Sequence, residues 1–469
     1  MSHNHCASIL SLGLKIALAA MTSLVIPLSS GAYANPHEFK LANGLRLIVK
    51  EDHRSPVVIS QIWYKAGSID ELNGATGIAH ALEHMMFKGT ERVPGGAFSK
   101  RIAAAGGREN AFTGRDYTAY FQQLHKSQLP LAMELESDRM RNLILTKEEF
   151  SKEIQVVMEE RRLRTDDKPH ALVHEKMMAA AYQAHPYQRP IIGWMNDLEN
   201  MRVRDAKEWY DRWYAPNNAI LVVVGDVKPR EVFALAQKYY GGITPRPLLP
   251  LALRKPQTEP VQVGIKRLTV KAPAKLPYLT MGYHAPTLRN ASADWEPYAL
   301  EMLVGVLDGN ASARLNKELV RERRIANSTG AGYDSTARGP GMFYLYGTPS
   351  EGKTTSDLET ALRGEMEKLM LDGVTEEELA RVKAQVVASH VFRLDSMFYQ
   401  AMQIGQLESV GLSYRDLEII VKKLQSVTAE QVREVAKKYV KDDSLTVAVL
   451  DPQPLEQKLP FAGSGGLRH

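Results

Sequence analysis

The chain contains 469 residues, enough for about two or three domains, and 44% of them are hydrophobic, which suffices for ordinary folded cores. Its formal net charge of +5 is small for 52.3 kDa, and acidic residues lie in or beside the basic runs near Arg162 and Arg323. We interpret those runs as solvated helix faces, so the composition gives no support for nucleic-acid binding.

The first 34 residues have the pattern of a secretory signal peptide. A largely apolar stretch, 16–28, follows Lys15, and Ala32-Tyr33-Ala34 provides an A-x-A cleavage site. An uncleaved anchor is the alternative, although polar residues and a proline interrupt the stretch. We predict an exported, periplasmic protein with no stable membrane span after cleavage. Cys6, the single cysteine, lies in this signal, so the mature chain offers no thiolate to a metal.

The predicted mature chain begins with strand patterns. Two strand-like runs flank an Asn43-Gly44 turn, and a third covers residues 57–64. A helix follows, with Thr76 as its candidate N-cap and an inward apolar stripe that begins at Ile78.

The same helix carries the most informative motif of the chain, the H-x-x-E-H arrangement of His80, Glu83 and His84. Residues three and four positions apart share one face of a helix, so two imidazoles lie beside one carboxylate. Two imidazoles at this spacing can bind one Zn²⁺, and the carboxylate can take a proton from a water at the metal. We predict His80 and His84 as metal ligands and Glu83 as the catalytic base.

A second helix is predicted from Thr146, which begins a Thr-x-x-Glu capping box. A catalytic zinc needs a third protein ligand, which must be His, Asp or Glu because the mature chain has no cysteine. We choose Glu160 on this helix. Glu153, two turns earlier on the same face, is predicted to hydrogen-bond His80 or His84. The alternative interpretation of the two glutamates is an exposed acidic helix face.

A proline-rich segment divides the rest of the chain. Five prolines fall within residues 245–262, a density that disfavours regular structure and predicts a linker. Residues 35–244 then form the predicted zinc-binding domain and residues 263–455 a second domain. The glycine-rich end, 456–469, is predicted to be a flexible tail.

A weak internal repeat indicates that the two domains are related. Tyr214 precedes Asp226 across an apolar strand pattern, and Tyr439 precedes Asp451 at the same spacing across another. Both patterns follow an amphipathic helix pattern, so duplication is a better explanation than coincidence.

The H-x-x-E-H motif followed by a helical Glu160 resembles the pitrilysin/insulinase family of zinc metallopeptidases, the inverzincins. Further segments similar to the family lie at residues 106–113, 116–120, 135–140, 157–162, 185–187 and 214–218. Size and layout resemble the processing-peptidase subfamily, whose chains pair into clam-shaped dimers. The resemblance implies an α+β fold of two related domains, each a mostly antiparallel sheet with helices packed against it.

The resemblance also implies an activity, that of an endopeptidase for short or unfolded peptides with one Zn²⁺ per chain. Glu83 takes a proton from the attacking water and later passes it to the leaving amine. The peptide lies extended beside the strand near Asn110 and Ala111, which are predicted to bind it through backbone hydrogen bonds.

One departure from the family pattern concerns the second half. Family members often carry an Arg and a Tyr there that hold the substrate and its developing oxyanion, whereas Val320 and Asn327 occupy the aligned positions here. Arg321 lies one position away, and tyrosines 333, 344 and 346 lie further along. We hypothesise that a related partner subunit without the zinc motif supplies the pair, with a homodimer as the other arrangement. The alternative function is a non-catalytic peptide-binding or assembly subunit with a structural or vestigial metal site.

Overall fold

A computed structural model of the chain describes residues 36–454, in which helices pack against two β-sheets. The predictions of a signal peptide at 1–34 and of a tail at 456–469 concern residues outside this range. Across 36–454, no helix combines the length and the apolar character needed to cross a membrane.

The first sheet has six strands in the order β1-β2-β6-β3-β5-β4. The strands are β1 (His37–Lys40), β2 (Arg46–Glu51), β3 (Val57–Tyr64), β4 (Arg108–Thr113), β5 (Thr118–His125) and β6 (Ala219–Gly225). Only the β2–β6 pairing is parallel. The central strand β6 is a continuous apolar run and is buried throughout, whereas the edge strand β4 mixes polar and apolar residues.

The second sheet repeats this topology with five strands in the order β7-β11-β8-β10-β9. They are β7 (Lys266–Pro273), β8 (Tyr278–Ala285), β9 (Ala326–Tyr333), β10 (Gly341–Pro349) and β11 (Leu445–Gln453). The β7–β11 pairing is parallel and the others are antiparallel, as for their counterparts in the first sheet. The strands after Tyr214 and Tyr439, β6 and β11, hold equivalent positions, which agrees with the predicted duplication. The predicted fold class is confirmed.

Fourteen α-helices complete the described part of the chain. In the first half they are α1 (Ile78–Met85), α2 (Ala97–Ala104), α3 (Leu129–Asn142), α4 (Lys147–Arg161), α5 (Pro169–Ala181), α6 (Met195–Asn200), α7 (Val203–Trp213) and α8 (Pro229–Tyr240). In the second half they are α9 (Glu296–Asp308), α10 (Thr355–Asp372), α11 (Glu376–Arg393), α12 (Met397–Val410), α13 (Leu417–Ser426) and α14 (Ala429–Tyr439).

One helix of each half packs against the sheet of the other half. Val173 and Met177 of α5 are buried against Val270 of β7 in the second sheet. In return, Ile404 of α12 is buried against Trp63 of β3 in the first sheet. This exchange interlocks the halves, and the contacts of the described residues do not separate them into two units. The domain boundaries proposed from the sequence therefore stay predictions.

The segment predicted as a linker, 245–262, has only a short 3-10 helix, Leu251–Leu253, as regular structure. Side chains nevertheless attach it to the first half. Glu259 accepts hydrogen bonds from three consecutive backbone N–H groups, those of residues 183–185, at 2.6–3.0 Å. At Glu259 this segment is therefore attached to the first half.

We expect Gly405→Ala to lower the free energy of unfolding by about 1–3 kcal/mol, the usual cost of overpacking a core. Gly405 lies in α12, and a Cβ atom there would lie 2.0 Å from Cε2 of the buried Trp63. The matched control is Gly364→Ala in α10, where a Cβ atom would meet nothing within 4 Å. This control should gain about 0.4–1 kcal/mol, because alanine reduces the freedom of the unfolded chain. Urea unfolding measures both, and equal stability of the two variants would contradict the packing of α12.

Candidate metal centre

Helix α1 begins at a buried and tightly bonded N-terminus. Gly77 precedes it with φ of 87°, in the left-handed region that favours glycine. The buried carboxylate of Glu71 accepts hydrogen bonds from the backbone N–H groups of Gly77 (2.9 Å) and Ala79 (3.0 Å). Thr76 is therefore not the N-cap, and its hydroxyl instead donates to Asp197 at 2.6 Å. The prediction of Thr76 was wrong because the carboxylate of Glu71, six residues before Gly77, satisfies the helix N-terminus.

Helix α4 begins and packs as its sequence predicts. The Thr146 hydroxyl accepts a hydrogen bond from the Glu149 N–H at 3.2 Å, and the apolar stripe that starts at Phe150 is buried. With this stripe fixed against the core, Glu153 and Glu160 lie on the face toward α1.

His80, His84 and Glu160 come together at the contact between α1 and α4. One oxygen of Glu160, Oε2, lies 3.3 Å from Nε2 of His84 and 3.7 Å from Nε2 of His80. The three potential ligand atoms all lie within 4.8 Å of one another. A tetrahedral zinc site with bonds of about 2.0–2.1 Å separates its ligand atoms by about 3.3 Å. The cluster therefore fits one such ion in both donor type and spacing.

Two basic side chains and a second carboxylate surround this cluster. Glu153 Oε2 lies 3.3 Å from Nδ1 of His84, and its other oxygen contacts Lys88 Nζ at 2.5 Å. Arg164 contacts Glu160 Oε1 at 2.5 Å. Of the two histidines that the sequence left open as partners of Glu153, the structure pairs it with His84.

Glu83 lies beside the cluster and is held by a different element. The Thr113 hydroxyl, at the end of β4, donates a hydrogen bond to Glu83 Oε2 at 2.5 Å. Burial raises the pKa of the Glu83 carboxyl above its usual value. Burial, with repulsion by His84 and Arg164, lowers the pKa of His80 to about 3, so this imidazole is neutral, as a metal ligand must be.

Strand β4 has one free edge among the described residues, since β5 is its only strand neighbour. Asn110 and Ala111 pair with Phe121 and Tyr120 of β5. On its own strand, Asn110 uses Oδ1 to accept the Ala111 N–H at 2.8 Å. An added strand at this edge would compete with that local bond.

The second-half residues considered in place of the family's Arg and Tyr make local contacts within the second half. Val320 lies in a π-helical turn, Asn316–Glu322, and packs against the core of the second half. Asn327 is exposed on β9, and its Nδ2 donates to the Pro349 carbonyl at 3.3 Å. The Tyr333 hydroxyl donates to a backbone carbonyl at 2.5 Å.

Family models match both halves of the chain. Residues 46–194 match the insulinase model, peptidase family M16, and residues 200–386 match the peptidase M16 inactive domain. The chain belongs to peptidase family M16. The first match contains His80, Glu83, His84 and Glu160, so all four lie in the half that resembles the insulinase model.

Individual relatives extend the likeness over most of the chain. It is 30% identical over 439 residues to the zinc protease PqqE of Helicobacter pylori, covering 92% of this chain and 96% of that protein. A Mycobacterium bovis protein named an uncharacterized zinc protease is 29% identical, with 92% and 97% covered. The crystal structure of a protease from Helicobacter pylori superposes with a TM-score of 0.83 and 29% identity, covering 89% of this chain and all of that one. The periplasmic protease PqqL of Escherichia coli, at 19% identity, shares the fold with a TM-score of 0.76, covering 90% of this chain and 48% of that one.

Proposed function

We propose that the protein is an exported zinc-dependent endopeptidase in which His80, His84 and Glu160 hold one Zn²⁺. The observation that carries this proposal is the approach of both imidazoles to a single oxygen of Glu160, with the half-buried Glu83 on the same helix. A bound Zn²⁺ supplies a Lewis acid that makes water acidic enough to ionise near neutral pH and polarises the scissile carbonyl.

Glu83 is the proton-transfer group of the proposed reaction. Its Oε2 is bound to the Thr113 hydroxyl, which fixes the carboxylate and leaves Oε1 to receive the proton of the attacking water. The same carboxyl then gives its proton to the leaving amine. Its raised pKa helps the first step, since a carboxylate with a higher pKa is a stronger base toward the attacking water.

The proposed substrate is a short or unfolded peptide that adds a strand to the free edge of β4 near Asn110 and Ala111. Such pairing reads the main chain, so it selects an extended backbone more strongly than a particular side chain. The peptide must displace the Asn110 side chain from the Ala111 N–H, so Asn110 competes with the substrate for this backbone donor.

A second candidate function follows from Val320 and Asn327, which offer neither a cation nor a phenol at the positions where the family resemblance implies Arg and Tyr. In this alternative the chain binds peptides, or assembles with a partner, without cleaving them. If the chain is a peptidase, a partner subunit could supply the missing Arg and Tyr. We propose as that partner a homologous subunit that lacks the zinc motif, which gives a heterodimer, with a homodimer as the other arrangement. A structural metal site has no use for Glu83, which favours the peptidase.

Metal removal tests the proposal directly. We expect the purified chain to cleave a fluorogenic unfolded peptide, to lose this activity after dialysis against a chelator and to regain it with one equivalent of Zn²⁺. The assay is run with this chain alone and with this chain mixed with a related subunit that lacks the zinc motif. Activity in the mixture but not in the chain alone identifies the heterodimer. Peptide binding without cleavage under every condition would establish the second candidate. Sequencing the N-terminus of the exported protein tests cleavage after Ala34.

A further inference from the structure

The turn between β4 and β5 is attached to a loop of the first half. The backbone N–H of Ser68 donates to the Gly114 carbonyl at 3.2 Å, and that of Ile69 donates to the Arg115 carbonyl at 2.9 Å. The turn directly follows Thr113, the residue that holds Glu83. A shift of the turn is therefore transmitted to Thr113 through a single peptide unit.

Arg338, from the second half, bonds to both of these segments. Its guanidinium makes a two-pronged contact with the Asp70 carboxylate at 2.8 and 3.0 Å, with only 11% and 7% of the two side chains exposed. Its guanidinium also donates to the Asp116 carbonyl in the turn at 3.4 Å, and its backbone N–H donates to Asp116 Oδ2 at 3.1 Å. A planar guanidinium on a carboxylate fixes orientation as well as distance.

Asp116 is held on its other side too. Its Oδ1 accepts the Tyr187 hydroxyl at 2.6 Å, and the Tyr187 oxygen accepts the Gly339 N–H at 2.9 Å. Gly339 lies so close to His185 that a Cβ atom would come within 2.3 Å of its ring. The second half thus contacts the turn directly through Arg338, and Gly339 reaches it indirectly through Tyr187.

We propose that Arg338 is a positioning residue for the site of the first half. By holding Asp70 and Asp116 it fixes the β4–β5 turn, and through the turn it fixes Thr113 beside Glu83 and the edge of β4 beside the metal cluster. The catalytic part of this inference rests on the proposed role of Glu83. This role gives the half that matches the M16 inactive domain a defined function, which is to hold the free edge of β4 in a fixed position relative to Glu83.

Arg338→Ala tests this role, with Arg314→Ala as its control. Arg314 makes an equally two-pronged contact, at 2.7 and 2.8 Å, with Glu378 inside the second half. We expect Arg338→Ala to raise hydrogen exchange of residues 108–117 roughly tenfold or more, the effect of losing a charge-assisted bond. Zinc content should stay at the wild-type value, while kcat falls roughly 10–100-fold, as for a small misplacement of a reacting group. Arg314→Ala should change thermal stability alone.

Arg338→Lys covers the case in which the alanine variant does not fold. It keeps the charge but loses the fork, so a smaller rise in exchange of 108–117 and a smaller loss of kcat are expected. Unchanged exchange of 108–117 in the folded Arg338 variant, or an equal rise in Arg314→Ala, would refute the positioning role. Hydrogen exchange is read without substrate, so it decides this role even if the wild-type protein cleaves no peptide and the proposed function fails.

Discussion

Glu83→Gln should slow peptide cleavage by at least about 10²-fold while the chain still binds its metal. Glutamine keeps the shape of the side chain and an oxygen for the Thr113 hydroxyl, but it cannot take a proton from water. Removing a general base lowers the rate roughly 10²–10⁴-fold, and we expect at least the lower figure here. Metal content should be unchanged, because the three ligand candidates are His80, His84 and Glu160.

Glu159→Gln is the matched control for this variant. Glu159 neighbours Glu160 on α4, but 64% of its side chain is exposed and it pairs with Arg162 on the surface. The control should keep both zinc and activity, since a surface pair contributes little. Zinc is measured by elemental analysis and cleavage with the fluorogenic peptide. Full activity of Glu83→Gln would show that Glu83 is not the base. Loss of zinc from the same variant would instead identify Glu83 as a metal ligand.

Local signals predicted the parts of the site that depend on one helix. The spacing of His80 and His84 determines that they share a face, and the Thr146 cap with its apolar stripe determines which face of α4 carries Glu160. These features are short-range, so the sequence contains them. Thr76 shows the limit of the same logic, because Glu71, six residues before Gly77, bonds to the N-terminus of α1 at a spacing outside the usual cap pattern.

Long-range pairings account for what the sequence did not predict. Thr113 belongs to a segment that resembles the family, yet its bond to Glu83 joins a strand to a helix and leaves no spacing signal. The exchange of α5 and α12 is similarly hidden, since an apolar helix face does not specify which of two similar sheets it covers. The Arg338 contacts join residues more than two hundred positions apart.

Glu160→Ala should weaken zinc binding by more than about 100-fold, because loss of a ligand must exceed the 10–100-fold cost of losing an outer partner. Without its carboxylate, the site keeps two imidazoles, fewer than the three protein ligands that a catalytic zinc requires. The substitution would also leave the positive charge of Arg164 near the site without its partner carboxylate, which opposes binding of a cation.

Glu153→Gln separates this ligand role from general acidity of the helix face. Glu153 and Glu160 lie on the same face of α4, with 14% and 16% of their side chains exposed, but Glu153 reaches the cluster only through Nδ1 of His84. Its loss should therefore cost 10–100-fold in zinc affinity, roughly the effect of removing a partner that orients an imidazole. Zinc affinities of both variants are measured by competition with a chromogenic chelator. If Glu160→Ala binds zinc as tightly as Glu153→Gln, the third ligand is not Glu160, and the two glutamates act together as an acidic surround for a two-histidine site.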